Sequence, residues 1–374
     1  MLYDIVIVGA GIAGASLAWR LAPHARVLVL EREDQPGHHS TGRSAAMFME
    51  TYGAPMVRAL TRASRDFYER PPAGFCEGPL LAPRGCLYVA DATQSAELAA
   101  LHATLAAESD GIALIGRDEA CARVRVLRPE RVIGAVDERD ARDIDVAMLH
   151  QAFLRGLRMH GGELRIRATV QSAVHEADGW TVKLAEGGSV RGRLLVDAAG
   201  AWADQVARAC GIAPVGLQPR RRSAFTFAAP AGVDARGWPS VVGVDESFYF
   251  KPDAGQLLGS PANADPVEPH DVAPEELDIA LGIDRIQAFT TMSIRRPSRV
   301  WAGLRSFVDD GELVIGAEPA QPAFCWLAAQ GGYGIQTAAG ASALAAALLL
   351  GQPLPAELER EGVDPARVSP ARLR

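Results

Sequence analysis

Tyr3 to Val8 is an apolar, largely β-branched run interrupted only by Asp4, as expected of a strand. Glycines follow it, Ile12 to Leu21 then spaces its apolar residues as a helix does, and Arg26 to Leu30 forms a second apolar run. The segment therefore reads strand, helix, strand. Further on, the pattern predicts a helix over Val146 to Met159, strands near Glu163 to Val170 and Trp180 to Leu184, a strand at Leu194 to Val196, and a helix at Ala201 to Ala209. A different texture marks Leu87 to Val89, Ala224 to Phe227, Phe248 to Phe250 and Val300 to Leu304. These are short strand candidates between Pro- and Gly-rich connections and suggest a second, mostly antiparallel sheet. Alternation puts Phe225 and Phe227 opposite Arg222, Ala224 and Thr226, and Phe248 and Phe250 opposite Tyr249. Arg222 and Tyr249 thus leave the apolar faces. Pro261 to Glu276 reads as a polar loop, and Pro353 to Arg374 as a peripheral tail.

Length and composition narrow the class. A chain of 374 residues with 48% apolar and 22% charged residues is a folded protein of two to three domains. The net charge of −7 offers no footprint for a polyanion, so nucleic acid is not an expected partner. The longest apolar run, Ala338 to Leu350, is too short to cross a bilayer and predicts a buried helix, so no transmembrane segment is expected. Five cysteines without a CxxC pair fit neither a disulfide framework nor a structural zinc site, and no basic n-region opens the chain. A cytoplasmic protein is the expectation, with peripheral attachment to the inner membrane left open. Eight histidines, His38 and His39 among them, show no metalloprotease-like spacing, and no metal is expected. Without a heptad or a long exposed apolar helix, a monomer is expected.

The sharpest chemical signal is the GAGIAG turn, in which Gly9, Gly11 and Gly14 follow a strand and, with Ile12 and Ala13, open a helix. Such glycines allow a tight turn, close approach to a pyrophosphate and packing of helix on sheet, while the helix N-terminus offers unpaired N–H groups. Glu31 ends the second strand 22 residues after Gly9, where a carboxylate can accept hydrogen bonds from a ribose diol. Both NAD and FAD satisfy this fingerprint.

Three further segments carry a resemblance that separates the two. HSTGRSAA (His39 to Ala46), LLVDAAGAWAD (Leu194 to Asp204) and QGGYGIQT (Gln330 to Thr337) resemble, in order, the later cofactor-contacting segments of the D-amino-acid and sarcosine oxidase superfamily. The resemblance implies FAD. It also implies an α/β fold, in which a doubly wound, Rossmann-like FAD-binding domain (1–80, 140–215 and 300–374) accompanies a mixed-sheet substrate domain (81–139 and 216–299). Besides the glycine turn, it places Glu31, Arg32, Ser40, Thr41, Gly42, Arg43, Ser44 and Ala45 at the cofactor. Val170, Ala199, Gly200 and Trp202, then Gly331, Gly332, Tyr333, Gly334, Ile335, Gln336 and Thr337, complete that set. Ser306 and Phe307 follow Arg305 where covalent relatives carry a tethering cysteine, so the flavin is expected to be noncovalent.

LQPRRRSAF (Leu217 to Phe225), DESFYFKPD (Asp245 to Asp253), LGSPANADPVE (Leu258 to Glu268) and WAGLRSFV (Trp301 to Val308) resemble bacterial D-arginine dehydrogenases. That resemblance puts Arg222, Tyr249 and Arg305 on the substrate carboxylate and Tyr52 on a covering loop, with Arg220 and Arg221 as solvated cations. It lines the side-chain pocket with Met47, Phe48, Glu50, Cys86 and Gly332. Those dehydrogenases carry a glutamate where Cys86 stands and a histidine where Met47 stands. An apolar pocket, poor at taking D-arginine unless Glu50 turns in, is therefore expected. The implied reaction is oxidative deamination of D-amino acids, with an amino-acid substrate and a quinone or oxygen as electron acceptor. The alternatives are another carboxylate substrate (D-arginine, an N-methyl or cyclic amino acid, a 2-hydroxy acid) or a flavoprotein subunit without turnover of its own.

Overall fold

A computed structural model describes residues 1–374. Its first sheet is built where the sequence is apolar without alternation. Leu2–Val8 lies parallel to Val27–Leu30 on one side and to Ser189–Asp197 on the other, and Glu163–Arg165 continues the parallel order. Val6 and Ile7, adjacent in the strand, are both fully buried, because helices or strands cover both faces of this sheet. Helix Ile12–Leu21 packs on one face between helices Val146–Met159 and Ala338–Leu350. Val170–Glu176 and Gly179–Leu184 add an antiparallel extension, and Gln321–Ala328 runs parallel to the end of Ser189–Asp197.

The second sheet has nine strands and is antiparallel apart from Ser240–Gly243 against Cys86–Ala90. Phe225, Phe227, Phe248 and Phe250 point to one face, where helix Glu276–Phe289 covers them with Ile279, Ile286 and Phe289. Arg222 and Tyr249 point to the opposite face, toward the first lobe, as the alternation requires. A small sheet of Met47–Phe48, Leu81–Pro83 and Arg142–Ile144 joins the lobes.

Four expectations are corrected. Arg299–Phe307 pairs with Gln218–Phe227 along nine residues, so the division expected at residue 300 falls inside a strand of the second sheet and belongs after Phe307. The strand expected over Glu163 to Val170 is two strands, Glu163–Arg165 and Val170–Glu176, because Arg167 turns the chain with a φ of 50°. The helix expected over Ala201 to Ala209 starts as a 3-10 turn, Gly200–Trp202, before Ala203–Ala209. Pro353 to Arg374 is no loose tail: Leu358 and Val368 are fully buried against the first lobe, and Arg374 pairs with Glu318 at 3.1 Å.

The glycine turn is fixed by close approach. Gly9 has a φ of 101°, and a Cβ at Gly14 would stand 1.9 Å from the Gly9 carbonyl oxygen. Gly14→Ala must therefore push helix from strand, and it should cost about 1–3 kcal/mol, read as a lowered midpoint in thermal or urea unfolding with a parallel loss of bound flavin.

Candidate active site

A continuous cleft runs between the lobes. At one end Gly9, Gly11, Glu31, Arg32, Val170, Ala199, Gly200 and Trp202 line it. In the middle Gly11, Ile12, Ala13, Ser40, Thr41, Ser44 and Ala45 face Gly331, Gly332, Gly334 and Ile335. The two stretches share Gly11, Ser40, Thr41 and Gly200, giving the elongated shape a dinucleotide needs. Glu31 is nearly buried, and its two oxygens accept the Ala10 and Glu33 N–H groups at 2.9 Å each, so the carboxylate is fixed at the rim of this end. The Ile12 N–H donates to Thr41 Oγ1 at 3.0 Å, joining the helix start to the second cofactor segment. These residues fit a flavin dinucleotide: backbone and small side chains line the middle, and a fixed acceptor stands at one end.

Several residues expected at the cofactor do other work. Gly14 packs helix on strand, and Gly42 closes a turn on the Gly37 carbonyl. Arg43 lines the cleft while its guanidinium grips the Val272 and Ala302 carbonyls at 3.0 and 3.1 Å and pairs with Asp271. Thr337 is buried and donates to the Tyr333 carbonyl, while Gln336 holds the loop before helix Pro55–Glu69. Tyr333 sets its ring edge-on to Tyr52 at 5.1 Å. Arg32 places its guanidinium 5.0 Å over Trp202. Glu33, His38 and His39 bring three metal-capable atoms within 4.8 Å, a grouping the sequence did not announce. His39 already bonds Glu33 through Nε2 at 2.9 Å.

Beyond Ser44, Ala45, Gly332 and Ile335 the cleft continues into a cavity that also contains Arg222, Tyr249, Arg305 and Tyr52. Strand register creates this convergence. Arg305 lies opposite Arg220 and Arg222 opposite Gly303, so Arg222 and Arg305 are diagonal neighbours on one face. A Cβ at Gly332 would stand 2.6 Å from the Arg305 guanidinium carbon, so glycine there makes room for that side chain. Arg222 Nε donates to the Asn263 carbonyl at 2.6 Å, and Arg305 Nη1 donates to the Tyr52 hydroxyl at 3.3 Å. Neither guanidinium has a carboxylate partner. Burial and then the neighbouring Arg305 charge press the Arg222 pKa below its ordinary value, as an anion between the two would reverse. Gln336 Nε2 donates to the Met49 and Tyr52 carbonyls at 3.3 Å and to Thr61 Oγ1 at 3.0 Å, which positions the Tyr52 loop. Arg220 is exposed, whereas Arg221 is not a solvated cation: its side chain enters a cluster with Asp265, Glu275 and Asp278 on the far face.

The side-chain end differs from expectation. Met47 lines it, with Met49, Tyr88, Ser240, Val242, Glu246, Lys251 and Ala262. Phe48 turns into the core against Tyr68, at 5.5 Å between ring centroids. Glu50 forms an ion pair with Arg65 on helix Pro55–Glu69, so it does not turn into the cavity. Cys86 has no exposed surface and lies beneath the wall, between Ser240 and Glu138. Alternation could have found two of the missed residues, since Tyr88 lies two positions from Cys86 and Lys251 two from Tyr249.

Glu138 is the buried carboxyl of this wall. Burial pushes it up to about 7, with Glu50 and Asp140 adding repulsion, and its Oε2 has no hydrogen-bond partner. The unfolded chain releases this proton near its ordinary 4.5, so stability falls as pH rises from 4.5 through 7 and stays lower above. Glu138→Gln removes the penalty. It should raise stability at pH 8 by roughly 2–3 kcal/mol and leave it unchanged below pH 4.5, measured by urea unfolding at both pH values.

Comparison with known proteins agrees with this geometry. The model of the family described as FAD dependent oxidoreductase matches residues 4–348. L-2-hydroxyglutarate dehydrogenase of Salmonella houtenae is 25% identical over 219 residues, covering 57% of this chain and 51% of that protein. The chain thus matches about half the length of that curated relative. Glycine oxidase of Bacillus licheniformis is 24% identical over 367 residues, covering 95% of each. Among solved structures, glycine oxidase from Geobacillus kaustophilus superposes with a TM-score of 0.83 at 19% identity over 98% of each chain. L-proline dehydrogenase from P. horikoshii gives 0.81 at 19% identity, covering 99% of this chain and 97% of that one.

Proposed function

The chain belongs to the FAD dependent oxidoreductase family, and on that premise we propose that it is a D-amino-acid dehydrogenase acting on apolar or broad side chains and poor at taking D-arginine. The observation that carries this reading is the pair of guanidinium groups, Arg222 and Arg305, that share a cavity wall with Tyr249 and Tyr52 and lack any carboxylate partner. Two cations without a carboxylate bond, side by side in one cavity, suit a substrate carboxylate, which each can take with paired N–H donors. Met47, Met49, Val242 and Ile335 supply an adaptable apolar surface for the side chain.

Anchoring the carboxylate at one end fixes where the substrate Cα sits along the cleft, and that is how the protein contributes. FAD held along Gly9, Gly11, Glu31, Thr41 and Gly331 would supply the redox chemistry, as the acceptor of the hydride that leaves Cα. The substrate amine must release its proton before its lone pair can assist, and the nitrogen ends as an imine. Water then hydrolyses the imino acid to a 2-oxo acid and ammonia. A quinone or oxygen would serve as the final electron acceptor.

Anaerobic mixing of the purified flavoprotein with D-leucine, D-methionine and D-phenylalanine should bleach the flavin, at a rate that rises with pH toward the ionisation of the bound amine. A rate flat in pH contradicts the amine step. Bleaching by L-2-hydroxyglutarate, or by N-methyl or cyclic amino acids alone, would move the substrate class to theirs, and bleaching by none of these overturns the proposal. Arg222→Met and Arg305→Met should each lower kcat/KM by about a hundredfold, and Tyr52→Phe by roughly tenfold. No cysteine lines the cleft, so acid precipitation should release the yellow colour into the supernatant.

A further inference from the structure

Register on the second sheet places two rows across the cavity wall. Tyr249, Val242 and Tyr88 form one, through the pairs Tyr249 with Val242 and Val242 with Tyr88. One step along lie Lys251, Ser240, Cys86 and Glu138, through the pairs Ser240 with Cys86 and Cys86 with Glu138. Ser240 is small, so Lys251 reaches the cavity over it. Lys251 is one of only two lysines in a chain of 36 arginines, and it is 5% exposed. Its ammonium donates to Asp143 Oδ1 at 2.7 Å. The other oxygen of that carboxylate accepts from Arg84 Nε at 2.6 Å, and the remaining Arg84 bonds go to the neutral carbonyls of Arg236 and Trp238 at 2.8 Å. Two cations therefore share one carboxylate, and the wall holds a surplus positive charge. Of the ammonium's three N–H donors, one has a partner in the protein. Glu138 in the same row keeps its proton to about pH 7 and does little to offset this charge. Glu246, the carboxylate that lines the cavity, is exposed at its mouth beside Arg222.

We propose that Lys251 is the specificity-determining residue of the side-chain end: it turns away D-amino acids with cationic side chains and donates hydrogen bonds to those ending in a carboxamide or carboxylate. This rests on the D-amino-acid reading above and gives its preference a cause. Like charges brought together in a water-poor pocket penalise the wrong partner more than a good contact rewards the right one.

Lys251→Met tests it while leaving Asp143 paired with Arg84. The kcat/KM ratio of D-arginine to D-leucine should rise at least about tenfold, and that of D-glutamine to D-leucine should fall by about as much. Lys251→Gln, which keeps an N–H donor without the charge, should restore the D-glutamine ratio but not the exclusion of D-arginine. Ratios that move less than about twofold in flavin-loaded variants overturn the proposal, as does a wild type that oxidises D-arginine as well as D-leucine. If the variants lose flavin, 2-oxo acids binding to the wild-type holoenzyme, followed by perturbation of the flavin spectrum, decide. A guanidino-bearing acid that binds as tightly as its carboxamide counterpart overturns it, and weaker binding upholds it. That order is measurable even if no D-amino acid bleaches the flavin, so this inference and the function it rests on fail separately.

Discussion

The site depends on one strand pairing. Gln218–Phe227 and Arg299–Phe307 run antiparallel for nine residues, and their register sets Arg222 diagonal to Arg305 with Gly303 between. A slip of one residue by Arg299–Phe307 would send Arg305 to the apolar face, where Phe225 and Phe227 now pack, and part it from Arg222. The phenylalanines on the back and the arginines on the front are therefore one constraint: burying the first orients the second. What the register does not supply is compensation for two neighbouring cations in one cavity. Glu246, exposed at the cavity mouth, offsets the Arg222 charge only from a distance, and no carboxylate bonds either guanidinium, which leaves that role to a ligand.

The pocket is assembled from pieces far apart in sequence, and small contacts keep them aligned. Gln336, placed just before the buried helix Ala338–Leu350, ties the backbone of Met49 and Tyr52 to Thr61. Ser40 donates to the Leu304 carbonyl at 2.7 Å, and Arg43 holds the Ala302 carbonyl, so the second cofactor segment is fastened to the strand that carries Arg305. A segment that the sequence assigns to cofactor binding thus also braces the substrate strand.

Much of the fold was legible because its signals are local. The apolar run before Gly9, the helices Ile12–Leu21, Val146–Met159 and Ala338–Leu350, and the alternation around Phe225 and Phe248 each depend on periodicity within one element. The cofactor end was legible for a similar reason, since glycine spacing and Glu31 report a single turn and strand. What failed required knowledge of partners. Glu50 belongs to Arg65, Phe48 to the Tyr68 core, and Gln336 to the Tyr52 loop; none of those pairings leaves a mark in the sequence nearby. Lys251 was missed because its neighbours in the row, Ser240 and Cys86, come from strands more than 150 residues apart. The texture of Val300 to Leu304 matches the second sheet that Arg299–Phe307 joins, and only the division at residue 300, drawn by place in the chain, put it with the other lobe.

Asp143 lies on the small sheet that joins the two lobes, opposite Met47, and its carboxylate is gripped by Lys251 from the second sheet. The anchor for the pocket wall is therefore also a rivet across the seam of the molecule. Any relative sliding of the halves strains the same bond that fixes the ammonium, so substrate preference and mechanical cohesion are difficult to alter independently. A lineage drifting toward new substrates would find other pocket positions, such as Met47 or Val242, freer to change than this one.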